Sequence, residues 1–361
     1  MKPVPLHFVW EYTDVDRAFW EEHLEGWVPK RIIDAHVHMF PKSLQVEQMT
    51  QEKRRQIWVN EVTEPIDAPT LEHCIRTVFP GREVGCVAFG YPSFEFDIER
   101  SNDYVREEAG KRGWYSLALL RPEWSADRVE DELKKPGVIG VKPYYAMISP
   151  DRATRDKHLE ASIFEFLPHR ALEVLDDRRA WVTLHVPKAG RLGHPENIRE
   201  VKEIRRRYPG VKLIIAHFGR SFTEPHALEA LPMLAEDDGI YFDSSAVLNP
   251  AVHRVAMRCF GPRRILYGTD NPVFYMRGRR EWRARAYINH TSYPFHFNTE
   301  REPAEVEAKY TLMMYEAIRA MKGVCEEMRI GREGVEAMFG GNARGLIEKT
   351  PCKPDLPRQD A

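Results

Sequence analysis

The sequence predicts an α/β fold, a (β/α)8 TIM barrel with an N-terminal extension and long βα-loop insertions. Three observations predict it: eight short β-rich runs recur along the 361 residues, a helical pattern follows most of them, and several runs are apolar throughout. Continuous apolar strands are typical of a parallel sheet covered by helices on both faces. Eight such strands close a barrel. An open doubly wound sheet is the alternative, but no GxGxxG marks a dinucleotide site after an early strand.

The individual elements follow from this pattern. The predicted strands are Arg31–His38, Glu83–Phe89, Trp114–Leu120, Val138–Lys142, Trp181–Val186, Lys212–His217, Ile240–Ser244 and Arg264–Thr269. The predicted helices between and after them are Ala68–Phe79, Ile98–Lys111, Ala126–Lys135, Ile163–Asp177, Pro195–Tyr208, Glu224–Ala235, Pro250–Phe260, Ala304–Met321 and Arg332–Ile347. Pro195 and Pro250 stand where proline suits the first turn of a helix.

The strand–helix spacing divides the chain into one elaborated domain and its flanks. We predict an extension over 1–30 with a helix around Val15–Leu24, a barrel domain over 31–347 with insertions at 39–67, 143–160 and 271–300, and a tail over 348–361. The three insertions leave the carboxyl ends of strands, where barrel enzymes build their active sites. Long loops at that end are more often lids or specificity elements than filler.

Composition limits the classes of function. Lys+Arg 53 against Asp+Glu 55 gives a net charge of −2, which argues against a nucleic-acid binder driven by a basic field. No run approaches the roughly 18 apolar residues of a membrane span, and the first residues show no secretory signal. The five cysteines have no CxxC spacing and suit reduced thiols. We therefore expect a cytoplasmic protein with a small-molecule substrate and no nucleic-acid or membrane partner. A homodimer is an open alternative that rests only on analogy with other barrels.

A histidine pair ends the first predicted strand. His36 and His38 flank one residue, and because side chains alternate along a strand they point the same way. At a barrel rim two imidazoles would then converge on one point. The pair alone is a weak signal, since the chain has 14 histidines and partly buried core histidines are the commoner alternative.

Other strand ends strengthen the metal hypothesis. His185, His217 and Asp270 each fall near the point where an apolar run stops. Imidazoles with a carboxylate form a suitable nitrogen and oxygen set for Zn²⁺ or a similar divalent ion. Structural zinc sites often use cysteines and fill all four positions, whereas no cysteine lies near these motifs. The pattern therefore favours a catalytic metal site.

The motifs at these positions resemble a known family. They are DAHVH at 34–38, HV at 185–186, AHFG at 216–219, YGTDNP at 267–272 and FGGNARGL at 339–346. The chain resembles the amidohydrolase superfamily, and within it the branch that includes aminocarboxymuconate-semialdehyde-decarboxylase-like enzymes. The resemblance implies a (β/α)8 barrel in which His36, His38, His185 and Asp270 ligate one metal. It implies that His217 is a catalytic residue beside the bound water or a further ligand.

This site predicts a hydrolase in which metal-bound water attacks an amide, lactone or ester carbon of a small, carboxylated substrate. A divalent ion lowers the pKa of water from 15.7 to about 7. We expect one ion, with zinc favoured and manganese or another divalent ion as alternatives. Asp270 is the candidate general base, and His217 orients the nucleophile or polarises the substrate. Two alternatives stay open: non-redox decarboxylation of an aromatic or muconate-like acid, and a catalytically silent barrel with a binding role.

Several cations could hold a substrate carboxylate. Lys142, at the end of the fourth strand, and Arg220 are our candidates. The alternative for Lys142 is carboxylation by CO₂ to bridge two metals, as in some relatives. The run Arg277–Arg285 has five arginines, which form either an electropositive loop over the pocket or a solvated or subunit-facing helix with matched charges.

Overall fold

A closed parallel barrel forms the centre of the molecule. The computed structural model describes residues 2–151 and 158–350. Eight parallel strands pair in chain order, from the first to the eighth. Backbone hydrogen bonds of 2.9 Å from Ala35 to Tyr267, from Asp270 to His36 and from His38 to Asn271 close the circle between the first and last strands. The predicted (β/α)8 barrel is confirmed.

Most strands end earlier than the apolar runs of the sequence suggest. They are Arg31–His38, Glu83–Phe89, Tyr115–Leu119, Val138–Lys142, Trp181–Leu184, Lys212–Ile215, Ile240–Asp243 and Ile265–Leu266. The predictions for the sixth and eighth strands were too long. His217 and Asp270 have φ of 55° and 62°, a left-handed conformation that cannot continue a strand.

Helices and loops surround the barrel. The α-helices are Asp14–Phe19, Gln51–Gln56, Trp58–Val62, Ala68–Val78, Ile98–Lys111, Ala126–Leu133, Ile163–Phe166, His169–Asp177, Pro195–Arg207, Glu224–Ala230, Pro250–Phe260, Ala304–Glu307, Met313–Glu327, Arg332–Glu336 and Asn342–Glu348. Side chains of Asp67, Asp97 and Ser125 accept hydrogen bonds from the first turns of their helices, which fixes where these helices begin. None of the helices in the described ranges has both the length and the apolarity needed to cross a bilayer.

The two ends of the barrel differ. Buried Ile33, Leu117, Ile139 and Ile214 pack inside it with apolar side chains of the last helix, Asn342–Glu348. That helix lies at the amino ends of the strands, since Lys212, the first residue of the sixth strand, hydrogen-bonds to Thr350 just beyond it. Apolar packing therefore fills the amino end, and the strand-end polar residues lie at the other.

Two sequence predictions near the last insertion were wrong. The run Arg277–Arg285 was considered as a helix but forms a hairpin, in which Gly278–Arg283 pairs with Ala286–Thr291. Helix Ala304–Met321 was predicted as continuous, but it breaks because residues 311–312 bond in extended form to residues 277–278. The backbone there meets its hydrogen-bonding needs across the hairpin rather than along a helix.

The N-terminal extension is tied to the same region. Its helix, Asp14–Phe19, continues as a short π-helix over Trp20–Leu24. Together they lie close to the predicted helix around Val15–Leu24. Asp16 is completely buried and accepts hydrogen bonds from Arg277 and Thr311. Parts of two predicted segments, residues 152–157 of the loop after strand four and residues 351–361 of the tail, lie outside the described residues.

Candidate metal centre

Two imidazoles and one carboxylate meet at the carboxyl end of the barrel. The Nε2 atoms of His36 and His38 lie 3.4 Å and 3.2 Å from Oδ1 of Asp270. Potential ligand atoms of these three residues all lie within 4.8 Å of one another. Segments more than 230 residues apart in sequence are brought together because the first and last strands are neighbours in a closed barrel.

The hydrogen bonds of the two rings fit a metal ion. Nδ1 of His36 donates to Oδ2 of Asp243 at 2.9 Å, and Nδ1 of His38 donates to the carbonyl of Gly90 at 3.0 Å. These bonds leave the Nε2 lone pairs free on the side of Asp270. Two ligands at about 2.0–2.1 Å from a tetrahedral ion lie about 3.3 Å apart. The observed separations therefore suit a single shared ion.

Asp243 holds the site together without facing the ion. Its side chain is completely buried, and Oδ1 accepts hydrogen bonds from the amide of His217 at 2.9 Å and from the amide and hydroxyl of Ser245. His36, His217 and Asp243 also form a three-residue group that could bind metal. We assign this group a positioning role, because Nδ1 of His36 already donates to Asp243.

His217 lies in a turn that directs its ring over the site. His217, Phe218, Gly219 and Arg220 all have positive φ. A Cβ atom at Gly219 would lie 2.4 Å from the Leu192 side chain, so this turn requires glycine there. Nδ1 of His217 lies 3.0 Å from the Ser245 carbonyl, and its ring centroid is 4.7 Å from that of His36. The Nε2 atom is thus available to substrate or water.

His185 borders the cluster rather than joining it. Its ring centroid lies 5.4 Å from His217 and 4.8 Å from Tyr144. It belongs to neither compact group of potential ligands among the described residues, and its buried Nδ1 has no hydrogen-bond partner there. The structure therefore brings together three of the four predicted metal ligands and places the fourth beside them.

A family model described as amidohydrolase matches residues 33–347. The match covers the whole barrel, from the first strand to the last helix. The chain belongs to the amidohydrolase family. The family resemblance inferred from the motifs is confirmed. No curated protein matches the chain with significance.

Solved structures share the fold of this amidohydrolase. An amidohydrolase from Burkholderia multivorans with bound zinc has 13% identity and a TM-score of 0.57, covering 88% of this chain and 99% of its own. A candidate 2-pyrone-4,6-dicarboxylic acid hydrolase from Pseudomonas putida has 15% identity and a TM-score of 0.54, covering 89% and 98%. A 2,6-dihydroxybenzoate decarboxylase in complex with 2,6-dihydroxybenzoate has 12% identity and a TM-score of 0.51, covering 89% and 100%. At these identities the likeness shows the fold alone.

Burial and charge fix the protonation states in the amidohydrolase centre. Burial lowers the pKa of His36 to about 3, so that its imidazole is neutral at pH 7 and can donate a lone pair. Burial by itself would raise the pKa of Asp270, but His217, His38 and His36 outweigh it and lower that pKa to about 2. The cluster at neutral pH therefore offers an uncharged imidazole and a carboxylate, the donor types that a divalent ion prefers.

Lys142 is a buried cation close to this centre. Its side chain is 1% exposed, its Nζ makes no hydrogen bond in the described chain, and it lies 4.9 Å from the centroid of the Phe89 ring. Burial lowers its pKa to about 8, against the opposing effect of Asp243 and Asp270. An unsatisfied buried ammonium is costly, and the charges of Asp243 and Asp270 offset only part of that cost.

Arg220, the second candidate for binding a substrate carboxylate, is the last residue of the His217 turn. Its Nη1 donates to the carbonyls of Val186 and Lys188, at 3.3 Å and 2.8 Å. Burial, followed by the charge of Arg220, lowers the pKa of His185.

Sequence reasoning gave some parts of this centre only a general role or missed them. Asp243 ends strand seven, and it acts by orienting His36 and the His217 amide. Asp34 accepts hydrogen bonds from the amide and hydroxyl of Thr269. Ser245 and the Gly90 carbonyl were missed, because a loop serine and a backbone oxygen leave no residue-type signal.

Proposed function

We propose that this amidohydrolase is a metal-dependent hydrolase that cleaves an amide, lactone or ester bond of a small carboxylated substrate. His36, His38 and Asp270 would hold one divalent ion, with His185 as the fourth protein ligand. The observation that carries the proposal is the convergence of two oriented Nε2 atoms on one carboxylate oxygen, at 3.4 Å and 3.2 Å. A network that fixes both imidazole tautomers supports it.

The residues of the chain divide the chemical work. A bound divalent ion would activate water and polarise a carbonyl. Asp270 is ionised at neutral pH, and since its Oδ1 faces the imidazoles, Oδ2 is the oxygen that would accept a proton. His217 would orient the attacking water by accepting a hydrogen bond at Nε2, because its Nδ1 donates to the Ser245 carbonyl. Lys142 and Arg220 would bind a substrate carboxylate.

The donor set favours zinc. Imidazole nitrogens and a carboxylate suit Zn²⁺, although manganese accepts the same ligand types. The zinc bound in the Burkholderia relative supports this choice. Metal analysis of purified protein gives the identity directly: we expect close to one equivalent per chain, mainly zinc.

Non-redox decarboxylation is the second candidate. The buried, unpaired Lys142 would attract the carboxylate to be removed, and one structural neighbour is a decarboxylase with its acid bound. The two reactions differ in their use of water. Hydrolysis in ¹⁸O-labelled water places the label in the product, whereas decarboxylation releases CO₂ with no oxygen incorporated.

The metal proposal is tested by removing ligands one at a time. We expect His36→Ala, His38→Ala and Asp270→Ala each to lose activity and at least tenfold in metal affinity, measured by plasma mass spectrometry after dialysis against a chelator. His73→Ala is the matched control, because His73 is exposed on an outer helix and its side chain hydrogen-bonds, within the described residues, to the carbonyl of Pro5. A triple ligand variant with wild-type metal content and turnover would overturn the mechanism.

Further properties stay proposals. We infer a cytoplasmic location, since the four described cysteines are all free. We infer a small-molecule partner rather than nucleic acid from the balanced charge. A homodimer is proposed by analogy with other barrels, and light scattering on the purified protein tests it.

A further inference from the structure

The arginine-rich hairpin contains one arginine that differs from the others. Four of the five arginines between residues 277 and 285 pair with a carboxylate: Arg277 with Asp16, Arg279 with Glu302, Arg283 with Glu300 and Arg285 with Glu229. These pairs fit the interpretation of matched charges. Arg280 has no acidic partner among the residues that the structure describes.

Arg280 is also the most deeply buried of the five. Only 5% of the surface of this residue is exposed. Nε donates to Oδ1 of Asn289 at 2.8 Å, and Nη1 donates to the carbonyl of Ala246 at 3.0 Å. Nη2 is buried and has no hydrogen-bond partner in the described chain. A guanidinium has five N–H donors, so the edge formed by Nη1 and Nη2 keeps donors for a ligand.

Aromatic rings rather than acids surround this guanidinium. Its Cζ lies 4.2 Å from the ring centroid of Tyr287, 5.7 Å from Trp58, and 5.8 Å from both Phe222 and Phe274. Cation–π contacts of this kind offset part of the cost of burying the charge. They supply no counter-charge and no acceptor for Nη2, so the cost of burying this cation is only partly compensated.

The location of Arg280 links it to the candidate metal centre. Ala246, which accepts from Nη1, directly follows Ser245, the residue that holds Nδ1 of His217. The Phe222 ring that contacts Arg280 lies 6.1 Å from the ring of His217. One aromatic side chain therefore separates the unpaired guanidinium from a proposed catalytic residue.

Arg191 extends the positive region on the same side. Its Cζ lies 5.4 Å from the Phe222 ring, and its Nη1 donates to the carbonyl of Arg220. Neither Arg191 nor Arg220 has an ion pair among the described residues. Burial, with a smaller contribution from the charge of Arg191, lowers the pKa of Arg280. Two guanidiniums over one ring, neither with an ion pair among the described residues, form a region that an anion would stabilise.

We propose that Arg280 binds a carboxylate of the substrate through its Nη1–Nη2 edge, as a specificity-determining residue beside the metal centre. The inference rests on the proposed function, which places the substrate at the metal centre. It adds that Arg280 selects a substrate with an anionic group attached to an apolar body. The planar edge of a guanidinium matches a carboxylate in a two-point contact. Because Nη2 is covered, Trp58 and Tyr287, half-buried and joined by a 3.1 Å hydrogen bond, have to move to admit it.

The binding step is measured without metal or turnover. Chelator-treated protein is titrated calorimetrically with benzoate and with its neutral analogue benzamide. We expect benzoate to bind at least tenfold more tightly than benzamide, and Arg280→Met to lose at least tenfold of the benzoate affinity. Arg279→Met is the matched control, because Arg279 lies next in the hairpin but is paired with Glu302. Equal benzoate affinity in a folded Arg280→Met protein, or no preference over benzamide in the wild type, overturns the proposal.

A second measurement needs no variant at this buried position. Wild-type crystals soaked with 4-iodobenzoate locate the ring by the anomalous signal of iodine and the carboxylate by electron density. A carboxylate within hydrogen-bond distance of Nη2 supports the proposal. A carboxylate held only by Lys142 or Arg220, or binding at crystal concentration only, overturns it. Since neither experiment involves turnover, a chain that binds benzoate through Arg280 but hydrolyses nothing would contradict the proposed function and leave this inference standing.

Discussion

His36 and Asp243 come from the first and seventh strands, and their buried side chains lie 2.9 Å apart, with Nδ1 donating to Oδ2. Asp243 also accepts the amide of His217, so one carboxylate orients a proposed metal ligand and a proposed catalytic residue together. The net effect of His36 and His217 keeps the pKa of Asp243 below its ordinary value, although its burial acts in the opposite direction. It is therefore a permanent acceptor that fixes the proton of His36 on Nδ1.

Replacing this carboxylate by an amide tests the positioning role. In Asp243→Asn the side-chain oxygen of Asn can still accept a hydrogen bond from the backbone N–H of His217, and the side-chain NH₂ would face Nδ1 of His36. His36 would then have to carry its proton on Nε2 instead. We expect metal affinity to fall by about 10- to 100-fold, measured by competition with a chromophoric chelator. Asp131→Asn, on an exposed helix position, is the control and should change nothing. An unchanged affinity in the folded Asn variant would show that Asp243 is merely structural.

The sequence predicted the barrel better than its edges. The beginnings of six strands were predicted to the residue, since apolar runs start where helices cover the sheet. The ends of the third, fifth, sixth, seventh and eighth strands were predicted one to three residues too late. At His217 and Asp270 the backbone turns left-handed to aim a side chain at the barrel axis, and no composition signal distinguishes such a residue from one more strand residue.

The site was predictable where residue type and strand-end position coincide. His36, His38 and Asp270 satisfy both conditions, and the structure brings them together. Arg280 satisfies neither, because its sequence context is a run of arginines whose partners come from distant segments. Only the packing shows that four of them are paired while Arg280 is enclosed by aromatic rings.

Gly140 provides a test of the barrel packing beside Lys142. It pairs with Trp181 of the fifth strand, and a Cβ atom would lie 1.8 Å from the Trp181 carbonyl oxygen. We expect Gly140→Ala to lower the free energy of unfolding by about 3 kcal/mol or more, because backbone must move to admit it. Gly110→Ala is the control: Gly110 is helical and open to solvent, so a gain of about 0.5–1 kcal/mol is expected. Urea denaturation measures both, and equal effects would refute the packing argument.

His253 predicts part of the acid sensitivity of the fold. It is buried, Nε2 lies 2.9 Å from the Val247 carbonyl, and burial lowers its pKa to about 4. The unfolded state, with a pKa near 6.5, then binds more protons between pH 4 and 6.5, so stability present above pH 6.5 is lost as the pH falls. The loss from this group is about 3 kcal/mol. We expect His253→Gln to flatten the dependence of unfolding free energy on pH across that window. Parallel curves for wild type and variant would contradict the assignment.

Lys142 should reveal a cost to the stability of the folded protein that its proposed role in substrate binding would explain. Burial lowers its native pKa to about 8, whereas the unfolded value is near 10.5, so at pH 7 the native state bears the full cost of a buried ammonium, about 3 kcal/mol. We expect Lys142→Met to stabilise the protein at pH 7, and the gain to shrink as the pH rises from 8 to 10.5, where the wild-type amine deprotonates first in the native state.

The Michaelis constant of Lys142→Met should rise for a carboxylated substrate, and metal content should stay at one equivalent, because an ammonium does not ligate a cation. Lys212→Met is the control for the Michaelis constant and the metal content, both of which it should leave unchanged. Lys212 is also buried, but it bonds to Thr350 at the opposite end of the barrel. Two metal equivalents per wild-type chain, reduced in the Lys142 variant, would instead identify a carboxylated lysine between two ions.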